Sequence, residues 1–305
     1  MPVPDRFGFS SAPDLVIFSA NQMSSPTPNH TETTSRYILG YSEQEQKRLL
    51  LQATVLREWT ERFFRAAQLA PGMHVLDVGC GMGDVSLLAG EMVGPTGSVL
   101  GLDRDGDVLG KACERIGQHG CASWVQFQQA EISEFRSEQL FDAVVGRYIL
   151  HHQQDPTAVL RHLATQVRPG GLLIFHEFDF GSPVAMWPEP PPLWRQTIYL
   201  VAEVFRRSGL FPDFGLRLTR TFLDAGLPWP AIRAEVPVGG EPGSYMYDWL
   251  AQTVCSLLPL LEKLGLATEE ELQVGTLAAR LEAEVVSRGC QLIGPTQFGA
   301  WVRKP

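Results

Sequence analysis

The sequence of 305 residues lacks several features that would narrow its function at once. No run approaches the ~20 apolar residues that a membrane-spanning helix needs, and the first residues lack the basic and apolar segments of a signal peptide. The five cysteines are scattered and include no CxxC pair, which argues against a zinc or redox site. We therefore expect a cytoplasmic protein with no membrane segment and no metal site.

Positive charge is scarce as well. Against 34 Asp and Glu the chain has only 25 Lys and Arg, a net charge of −9, and no concentrated basic stripe. Nucleic-acid binding needs such a stripe to neutralise phosphates, so we expect no nucleic-acid partner. A chain of this length can bury a substantial core. With nucleic acid disfavoured, we expect the binding partner to be a small molecule. The oligomeric state stays open, with a homo-oligomer among the options.

The chain does contain an alternation of apolar and helical segments. Ser42 and Glu45 form a capping-box pattern, and apolar residues recur at helical spacing from there to Ala67. From residue 74 to 178, short apolar runs alternate with helix-like ones. Strands that are apolar throughout and separated by helices predict a parallel sheet covered on both faces. The predicted fold class is therefore a doubly wound α/β fold.

Composition divides the chain into four parts. Residues 1–34 are rich in Pro, Ser, Thr and Asn and predict a flexible arm, followed by a cap helix over 35–69 and a ligand-binding core over 70–182. Residues 183–305 should hold the rest of the sheet together with helical lid insertions. We expect those insertions, over about 190–225 and 240–290, to lie above the carboxyl edge of the strands, where open α/β sheets bind ligands.

The stretch HVLDVGCGMGDVSLL, residues 74–88, leads from a strand through three glycines into a helix. Such a turn places backbone N–H groups and a helix N-terminus beside a ligand. A P-loop is excluded because no GKS or GKT follows, and the dinucleotide pattern GxGxxG fails because Asp84 occupies the place of the third glycine. Asp77, two residues before the first glycine, would repel a pyrophosphate and attract a cationic amine.

The segments VLDVGCGMG and VLGLDRD resemble motifs I and II of the class I S-adenosylmethionine-dependent methyltransferases. The resemblance implies that Asp77 orients the amino group of S-adenosylmethionine. It also implies that Asp103, with Arg104 beside it, binds the ribose hydroxyls, and a carboxylate can accept from both of them. The loop beneath the ribose and methionine portion would consist of three glycines, Gly79, Gly81 and Gly83.

Later segments extend this resemblance over about residues 70–180. FQQAEISEF places Gln129, Ala130 and Glu131 where the family binds adenine, and FDAVVGRYILHH places Gly146 and Arg147 beside the sulfonium. VRPGGLLIFHEF is similar to motif V. The implied fold is a Rossmann-like methyltransferase sheet of seven strands, the last one antiparallel, with a helical cap.

Methyl transfer is an in-line displacement, so the protein must mainly align donor and acceptor and exclude water. The segment LLIFHEFDF should end at the acceptor. Glu177 is the preferred candidate for polar contact with the substrate, His176 lies on the opposite face of the strand, and His152 is a candidate general base. Tyr37 is a candidate to cover the methionine end of the cofactor.

The expected lid segments are rich in Trp, Tyr and Phe, which favours an apolar or aromatic acceptor. The core resembles methyltransferases of ubiquinone and menaquinone biosynthesis, and the added helices resemble enzymes of secondary metabolism. We therefore predict O- or C-methylation of such a small molecule. Two alternatives stay open: a methyltransferase fold that catalyses a cyclisation or rearrangement without methylation, and C-methylation of a prenyl diphosphate with magnesium.

Overall fold

The computed structural model describes residues 43–119, 121, 123–181 and 190–305. The arm expected over 1–34 and the cofactor contact expected of Tyr37 lie outside the described residues. The helices, in chain order, are α1 (Glu43–Ala66), α2 (Asp84–Val93), α3 (Gly106–Gly117), α4 (Pro156–Thr165), α5 (Pro192–Arg207), α6 (Phe214–Asp224), α7 (Tyr245–Lys263), α8 (Glu269–Leu272) and α9 (Leu277–Arg288). The strands are β1 (His74–Val78), β2 (Ser98–Asp103), β3 (Val125–Gln129), β4 (Phe141–Arg147), β5 (Val167–Asp179), β6 (Ala231–Glu235), β7 (Val238–Gly239), β8 (Leu292–Ile293) and β9 (Thr296–Arg303).

The main sheet has seven strands in the order β3-β2-β1-β4-β5-β9-β6. The first five of these pair in parallel, whereas β9 runs antiparallel to both β5 and β6. The predicted Rossmann-like sheet with an antiparallel last strand is therefore confirmed. Chain order changes direction between β1 and β4, and a ligand crevice in such a sheet opens beyond the carboxyl ends of these strands.

Alternation along the strands sends apolar side chains to both faces of the sheet. Leu76 and Val144 join the core beneath α4 and α6, while Val75 and Val145 join the core beneath α2 and the end of α1. Because both faces are covered, the strands read as continuous apolar runs in the sequence. Polar side chains that can meet a ligand therefore lie at the ends of these strands.

Helix α6 differs from the sequence-based expectation, which grouped residues up to 225 with the lid. Phe214, Leu218 and Phe222 recur every four residues on one face of α6 and are fully buried against the sheet. The Phe222 ring lies 6.2 Å from that of Phe175 on β5. Helix α6 is therefore part of the sheet's cover, because its apolar stripe packs into the same core as the side chains of β4 and β5.

The lid consists of α5, α7 and α9, which share an apolar cluster of their own. Phe178 and Phe180, at and just beyond the end of β5, join this cluster and fix it to the sheet. Trp194 and Phe205 of α5 are buried in it, and burial of such a side chain contributes roughly 1.5–3 kcal/mol. Helix α1 packs along α7 and reaches the sheet through Thr60 and Phe63. The lid and α1 thus cover the ends of β4 and β5.

Candidate active site

Asp77 lies at the end of β1, below the glycine turn, and is almost fully buried. Its Oδ2 accepts a hydrogen bond of 2.6 Å from the Ser86 hydroxyl of α2. Burial raises the pKa of Asp77 to about 7, although the Ser86 hydrogen bond and the nearby Arg147 guanidinium favour the ionised form. Burial makes the ionised form of a carboxylate costly, so a cation bound beside it stabilises that form strongly.

The glycine turn follows at once, and its three glycines all have positive φ. A Cβ at Gly79 would lie 2.3 Å from Ile149 Cδ1, and one at Gly83 would lie 2.9 Å from the Phe127 ring. A Cβ at Gly81 would meet nothing within 4 Å. Gly79 and Gly83 are therefore required by packing within the protein, whereas Gly81 leaves open space in which a ligand can approach the backbone.

Asp84, which replaces the third glycine of a dinucleotide loop, begins α2 and has a structural role. Its Oδ1 accepts a 2.7 Å hydrogen bond from Arg115 of α3, and the same guanidinium donates to the Met82 carbonyl at 2.6 Å. A carboxylate in the first turn of a helix is also favoured by the helix dipole. The ion pair thereby holds the glycine turn in place.

Asp103 ends β2 beside this turn. Its Oδ2 accepts from the Gly81 amide at 2.9 Å and its Oδ1 accepts from the Asp105 amide at 3.1 Å. A carboxylate offers about four acceptor positions, so each oxygen retains capacity for a ribose hydroxyl. The two backbone bonds fix the orientation of the carboxylate toward the space above Gly81.

The residues expected at adenine lie at the adjacent end of β3. Gln129 donates from Nε2 to the Arg104 carbonyl at 2.9 Å, and this bond orients the side chain across the β2–β3 edge. The Ala130 amide donates to the Asp103 carbonyl at 2.9 Å. The Glu131 side chain is exposed. The structure therefore brings Asp103, Arg104, Gln129 and Ala130 together and leaves Glu131 at the solvent side.

Gly146 and Arg147 end β4, next to β1. A Cβ at Gly146 would lie 2.8 Å from Ile149 Cγ2, so the chain can fold back over this position only if residue 146 is glycine. Arg147 is close enough to Asp77 to lower the pKa of that carboxyl. The next residue, Tyr148, has φ of 57°, a conformation that costs a non-glycine residue of order 1–3 kcal/mol. This strain lies where the chain turns toward the lid.

Glu177 holds the turn that follows. Its Oε1 accepts from the Ile149 and Leu150 amides at 3.0 and 2.7 Å, and its Oε2 lies 2.6 Å from His151 Nδ1. The side chain is fully buried. Burial raises the pKa of Glu177 to about 8 and lowers that of His151 to about 3, so one proton is shared within the pair. This placement points to an anchoring role rather than the substrate contact predicted for Glu177.

His176, on the opposite face of β5, is also fully buried. Its Nδ1 lies 3.0 Å from Thr60 Oγ1 of α1, and its Nε2 lies 3.0 Å from Gln297 Oε1 of β9. Burial and the nearby Arg147 lower the pKa of His176 to about 3. The imidazole is therefore neutral and links three elements, a role that differs from the catalytic one expected of it.

The tautomer of His176 follows from its partners. Gln297 donates from Nε2 to the Pro295 carbonyl at 2.7 Å, which leaves its Oε1 as an acceptor. The Tyr148 hydroxyl donates to that Oε1 at 2.5 Å. His176 must therefore carry its proton on Nε2, so Nδ1 is an acceptor, and it lies beside the Thr60 hydroxyl, whose single proton is also within reach of the Leu56 carbonyl at 2.9 Å. This polar relay of Tyr148, Gln297, His176 and Thr60 fixes the end of β4 against α1.

His152 lies beside the lid and is half-buried. Its ring centroid is 3.9 Å from that of His151 and 6.3 Å from that of Phe205 of α5. Burial lowers the pKa of His152, and nearby cationic groups add to this effect. The imidazole is therefore neutral at neutral pH and lies at the boundary of core and lid.

Several residues of this site have no motif that would have revealed them. Thr60 and Gln297 act through hydrogen bonds to His176 from distant parts of the chain. The pair of histidines after GRYIL was visible in the sequence, and the structure places His151 against Glu177 of β5. Within the described residues, no group of His, Cys, Asp and Glu side chains is arranged to hold a metal, and no helix is long and apolar enough to cross a membrane.

The comparison with protein families identifies the core. Residues 69–204 match the model of a methyltransferase domain. This match, the sheet and the glycine turn support a class I S-adenosylmethionine-dependent methyltransferase domain over these residues, and the region is similar in sequence to methyltransferases of ubiquinone and menaquinone biosynthesis. The predicted cofactor is confirmed, since S-adenosylmethionine is the methyl donor of this family.

Curated relatives agree with this assignment over part of their length. The chain is 32% identical over 143 residues to a ubiquinone/menaquinone biosynthesis C-methyltransferase of Xanthomonas oryzae, which covers 46% of this chain and 55% of that protein. It is 29% identical over 114 residues to the demethylmenaquinone methyltransferase of Lactobacillus johnsonii, covering 37% and 47%. The chain therefore spans about half the length of the curated relatives it matches.

Solved structures show the same fold at low sequence identity. The YcgJ protein of Bacillus subtilis matches with a TM-score of 0.52 at 14% identity, covering 82% of this chain and 99% of that one. A cyclopropane-fatty-acyl-phospholipid synthase-like protein of Lactobacillus casei matches with a TM-score of 0.51 at 16% identity, covering 85% and 92%. At these identities the likeness concerns the fold alone.

Proposed function

We propose that this protein transfers a methyl group from S-adenosylmethionine to a small ring-bearing molecule held between the core and the helical lid. The observation that carries the proposal is the buried Asp77 carboxylate beneath a glycine turn that is open at Gly81. A carboxylate below the turn suits an amine and disfavours a phosphate. Bound S-adenosylmethionine supplies an electrophilic methyl group on a sulfonium.

In this proposal, residues of four strand ends would hold the cofactor along its length. Asp77 would accept from the amino group of the methionine portion, and the backbone at Gly81 would lie against the ribose. Asp103, fixed by its two backbone hydrogen bonds, would accept from the ribose hydroxyls. Gln129 would accept from the adenine amine through Oε1, because its Nε2 already donates to Arg104. Gly146 and Arg147 would lie beside the sulfonium.

The acceptor would be positioned by the turn over Leu150–His152 and by the lid. Glu177 anchors this turn through its backbone amides, and His151 presents its ring to Phe178 at 4.4 Å. We assign Glu177 and His176 to positioning, and His152 to the role of general base if the acceptor loses a proton. The aromatic surroundings and the names of the relatives, a demethylmenaquinone methyltransferase and a C-methyltransferase of ubiquinone and menaquinone biosynthesis, support an aromatic acceptor methylated at carbon or oxygen.

Calorimetry with S-adenosylhomocysteine tests the cofactor assignment. Wild-type protein should bind it, and Asp103→Ala should bind at least about tenfold more weakly because two hydroxyl contacts are lost. Asp107→Ala, an exposed carboxylate on α3, is the matched control and should bind as wild type. Equal affinity for Asp103→Ala would overturn the assignment.

Product mass then tests the reaction. Incubation with donor and a set of hydroxylated aromatic and naphthalene-type acceptors should give products heavier by one methyl group. A product of unchanged mass, formed only when the cofactor is present, would instead support a rearrangement. Dependence of the reaction on added magnesium and a prenyl diphosphate would support the other alternative.

A further inference from the structure

Strand β6 ends the main sheet on the side away from β3, and among the described strands it pairs only with β9. Residues 231–234 of this strand are all exposed. Ile232 is 38% exposed, and Val236, directly after the strand, is 47% exposed. We call residues 231–236 the β6 edge. An edge strand of this kind presents a row of backbone N–H and C=O groups to which another strand can add.

The two edges of the sheet differ in character. The exposed side chains of β3, at the other edge, are glutamines: Gln126, Gln128 and Gln129. The exposed side chains of the β6 edge are Ala, Ile and Val apart from Arg233, and Trp229, two residues before the strand, is 74% exposed. Soluble proteins usually protect or pair an apolar edge, so the composition of the β6 edge favours a partner strand.

The register with β9 shows which side chains of the β6 edge lie on the α6 face of the sheet. Ala234 is opposite Phe298, and a Cβ at Gly215 of α6 would lie 2.3 Å from that phenyl ring. Opposite residues of two paired strands share a face, and alternate residues of one strand do so too. Ala234 and Ile232 therefore lie on the α6 face, and Val236 follows in the same alternation.

The charged side chains of the β6 edge lie on the other face, beside α1. Arg233 is opposite Gly299, where the Phe63 ring of α1 packs so closely that a Cβ would lie 2.3 Å from it. Glu235 Oε2 lies 3.4 Å from Arg62 Nη1 of the same helix. Arg233 itself has no hydrogen bond or ion pair within the described residues. The β6 edge thus carries an available cation and a carboxylate two residues apart on one face.

A second copy of the chain can extend the sheet through this edge if a two-fold axis runs along the sheet normal. The two β6 strands are then antiparallel, and each face of one sheet continues into the same face of the other. Because opposite residues must share a face, the axis must pass beside a residue and not between two residues. The charges and the flanking prolines decide among these positions.

The charges select one register. An axis beside Arg233 would place two arginines opposite each other, and an axis beside Glu235 two glutamates; like charges in these positions are destabilising. An axis beside Ile232 or Val236 would draw a flanking proline, which cannot donate, toward the centre of the pairing. An axis beside Ala234 places Arg233 opposite the partner's Glu235 and, on the other face, Ile232 opposite the partner's Val236, each twice. These pairs are favourable.

We propose that the β6 edge is a dimer interface and that its partner is a second copy of this chain, paired antiparallel about Ala234. The order of charges along the edge is complementary to itself when the strand is reversed, so an identical copy supplies the matching surface. Arg233 gains an anion that the described residues do not provide, and Glu235 keeps acceptor positions beyond its contact with Arg62. The short edge is a small interface, so we expect association at micromolar concentrations.

Sedimentation velocity on the full chain tests this interface. The wild type should be dimeric at about 100 μM. Arg233→Glu and Glu235→Arg each place like charges opposite each other twice, so each dimer should dissociate at least about tenfold more readily. Lys263→Glu makes the same change in charge as Arg233→Glu at an exposed lysine of α7, and it should sediment as wild type. A monomeric wild type, or a dimer that Lys263→Glu weakens as much as Arg233→Glu, would overturn the interface.

Mixtures of variants test the register. In a mixture of Arg233→Glu with Glu235→Arg, one variant has only negative and the other only positive charge at these two positions. They should form a heterodimer about as stable as the wild-type dimer, detected through a dye attached to one variant. The double variant R233E/E235R should pair with itself and not with wild type. Failure of the two single variants to associate, or free mixing of the double variant with wild type, would overturn the pairing about Ala234.

A further variant and a binding measurement separate association from folding and from the proposed function. Ala234→Lys places two lysines opposite each other and leaves the contact between Glu235 and Arg62 in place, so it should be monomeric; a dimer that persists in it would contradict the proposal. Because the paired β6 strands run antiparallel, the carboxyl edges of the two parallel sheets open in opposite directions. All variants should therefore bind S-adenosylhomocysteine as wild type does. Failure of the wild type to bind it would overturn the proposed function and leave the interface standing.

Discussion

Changing the pH should change the affinity for S-adenosylhomocysteine through Asp77. In the free protein, burial raises the pKa of Asp77 from 3.8 to about 7, so the carboxyl is largely neutral below neutral pH. Only the ionised form pairs with the amino group of the ligand, and the pair lowers the pKa again. Affinity should therefore rise with pH and level off above about 8. It should be about tenfold weaker at pH 6 than on the plateau, and about a hundredfold weaker at pH 5.

Calorimetry between pH 5 and 8.5 measures this dependence. Repeating the titration at pH 6 in buffers of different ionisation enthalpy should show release of close to one proton per ligand bound. Asp77→Asn removes the titrating group, so its weaker affinity should vary with pH only as far as the ligand itself titrates. Methylthioadenosine, which lacks the amino-acid portion, should bind wild type equally across the range. A flat profile for S-adenosylhomocysteine, or a profile unchanged in Asp77→Asn, would refute the role of Asp77.

Other substitutions test the packing around the site. Gly79→Ala should lower the free energy of unfolding by roughly 3 kcal/mol, seen in urea titration, because its φ is 65° and its Cβ would collide with Ile149; stability equal to wild type would contradict the geometry. At pH 6, Glu177→Ala should lower the free energy of unfolding by about 3 kcal/mol, because it leaves two amides and His151 unpaired. Glu177→Gln should lower it by under about 1 kcal/mol, because an amide reproduces the hydrogen bonds of the protonated acid. The folded pKa of Glu177 lies above its ordinary value, so its contribution to stability is lost as pH rises toward about 8, and Glu177→Gln should flatten this decline in a pH series of thermal melts. Tyr148→Phe should cost about 1 kcal/mol in urea titration, as one hydrogen bond to Gln297 is removed; a loss above about 3 kcal/mol would indicate a larger role for the hydroxyl.

The sequence could predict the part of the site that depends on local chain order. Asp77, Gly81 and Asp103 lie at the ends of β1 and β2 as the motif pattern required, because a strand, a tight turn and a helix follow one another within a few residues. The parallel order of β1 to β5 was likewise readable from apolar runs alternating with helices.

The contacts that come from distant segments could not be predicted. Gln297 meets His176 because β9 pairs with β5, a register that no local pattern encodes. Glu177 lies against the turn that follows β4, where its side chain accepts from two backbone amides and pairs with His151, a contact between distant segments that no local pattern encodes. Helix α6 was grouped with the lid because an amphipathic pattern identifies an apolar face but does not identify its partner.

The position of β9 between β5 and β6 also affects the order in which the protein can fold. Strand β5 ends at Asp179 and β9 begins at Thr296, so the two partners are separated by most of the lid. Strand β6 is synthesised earlier but cannot join the sheet until β9 is in place. Pairings between distant segments form slowly. While α5 to α9 are being made and folded, the edge of β5 therefore lacks its partner strand β9. Newly made chains should be most prone to aggregation at that stage, and destabilising changes in β9 should reduce the yield of folded protein more than the activity of the molecules that fold.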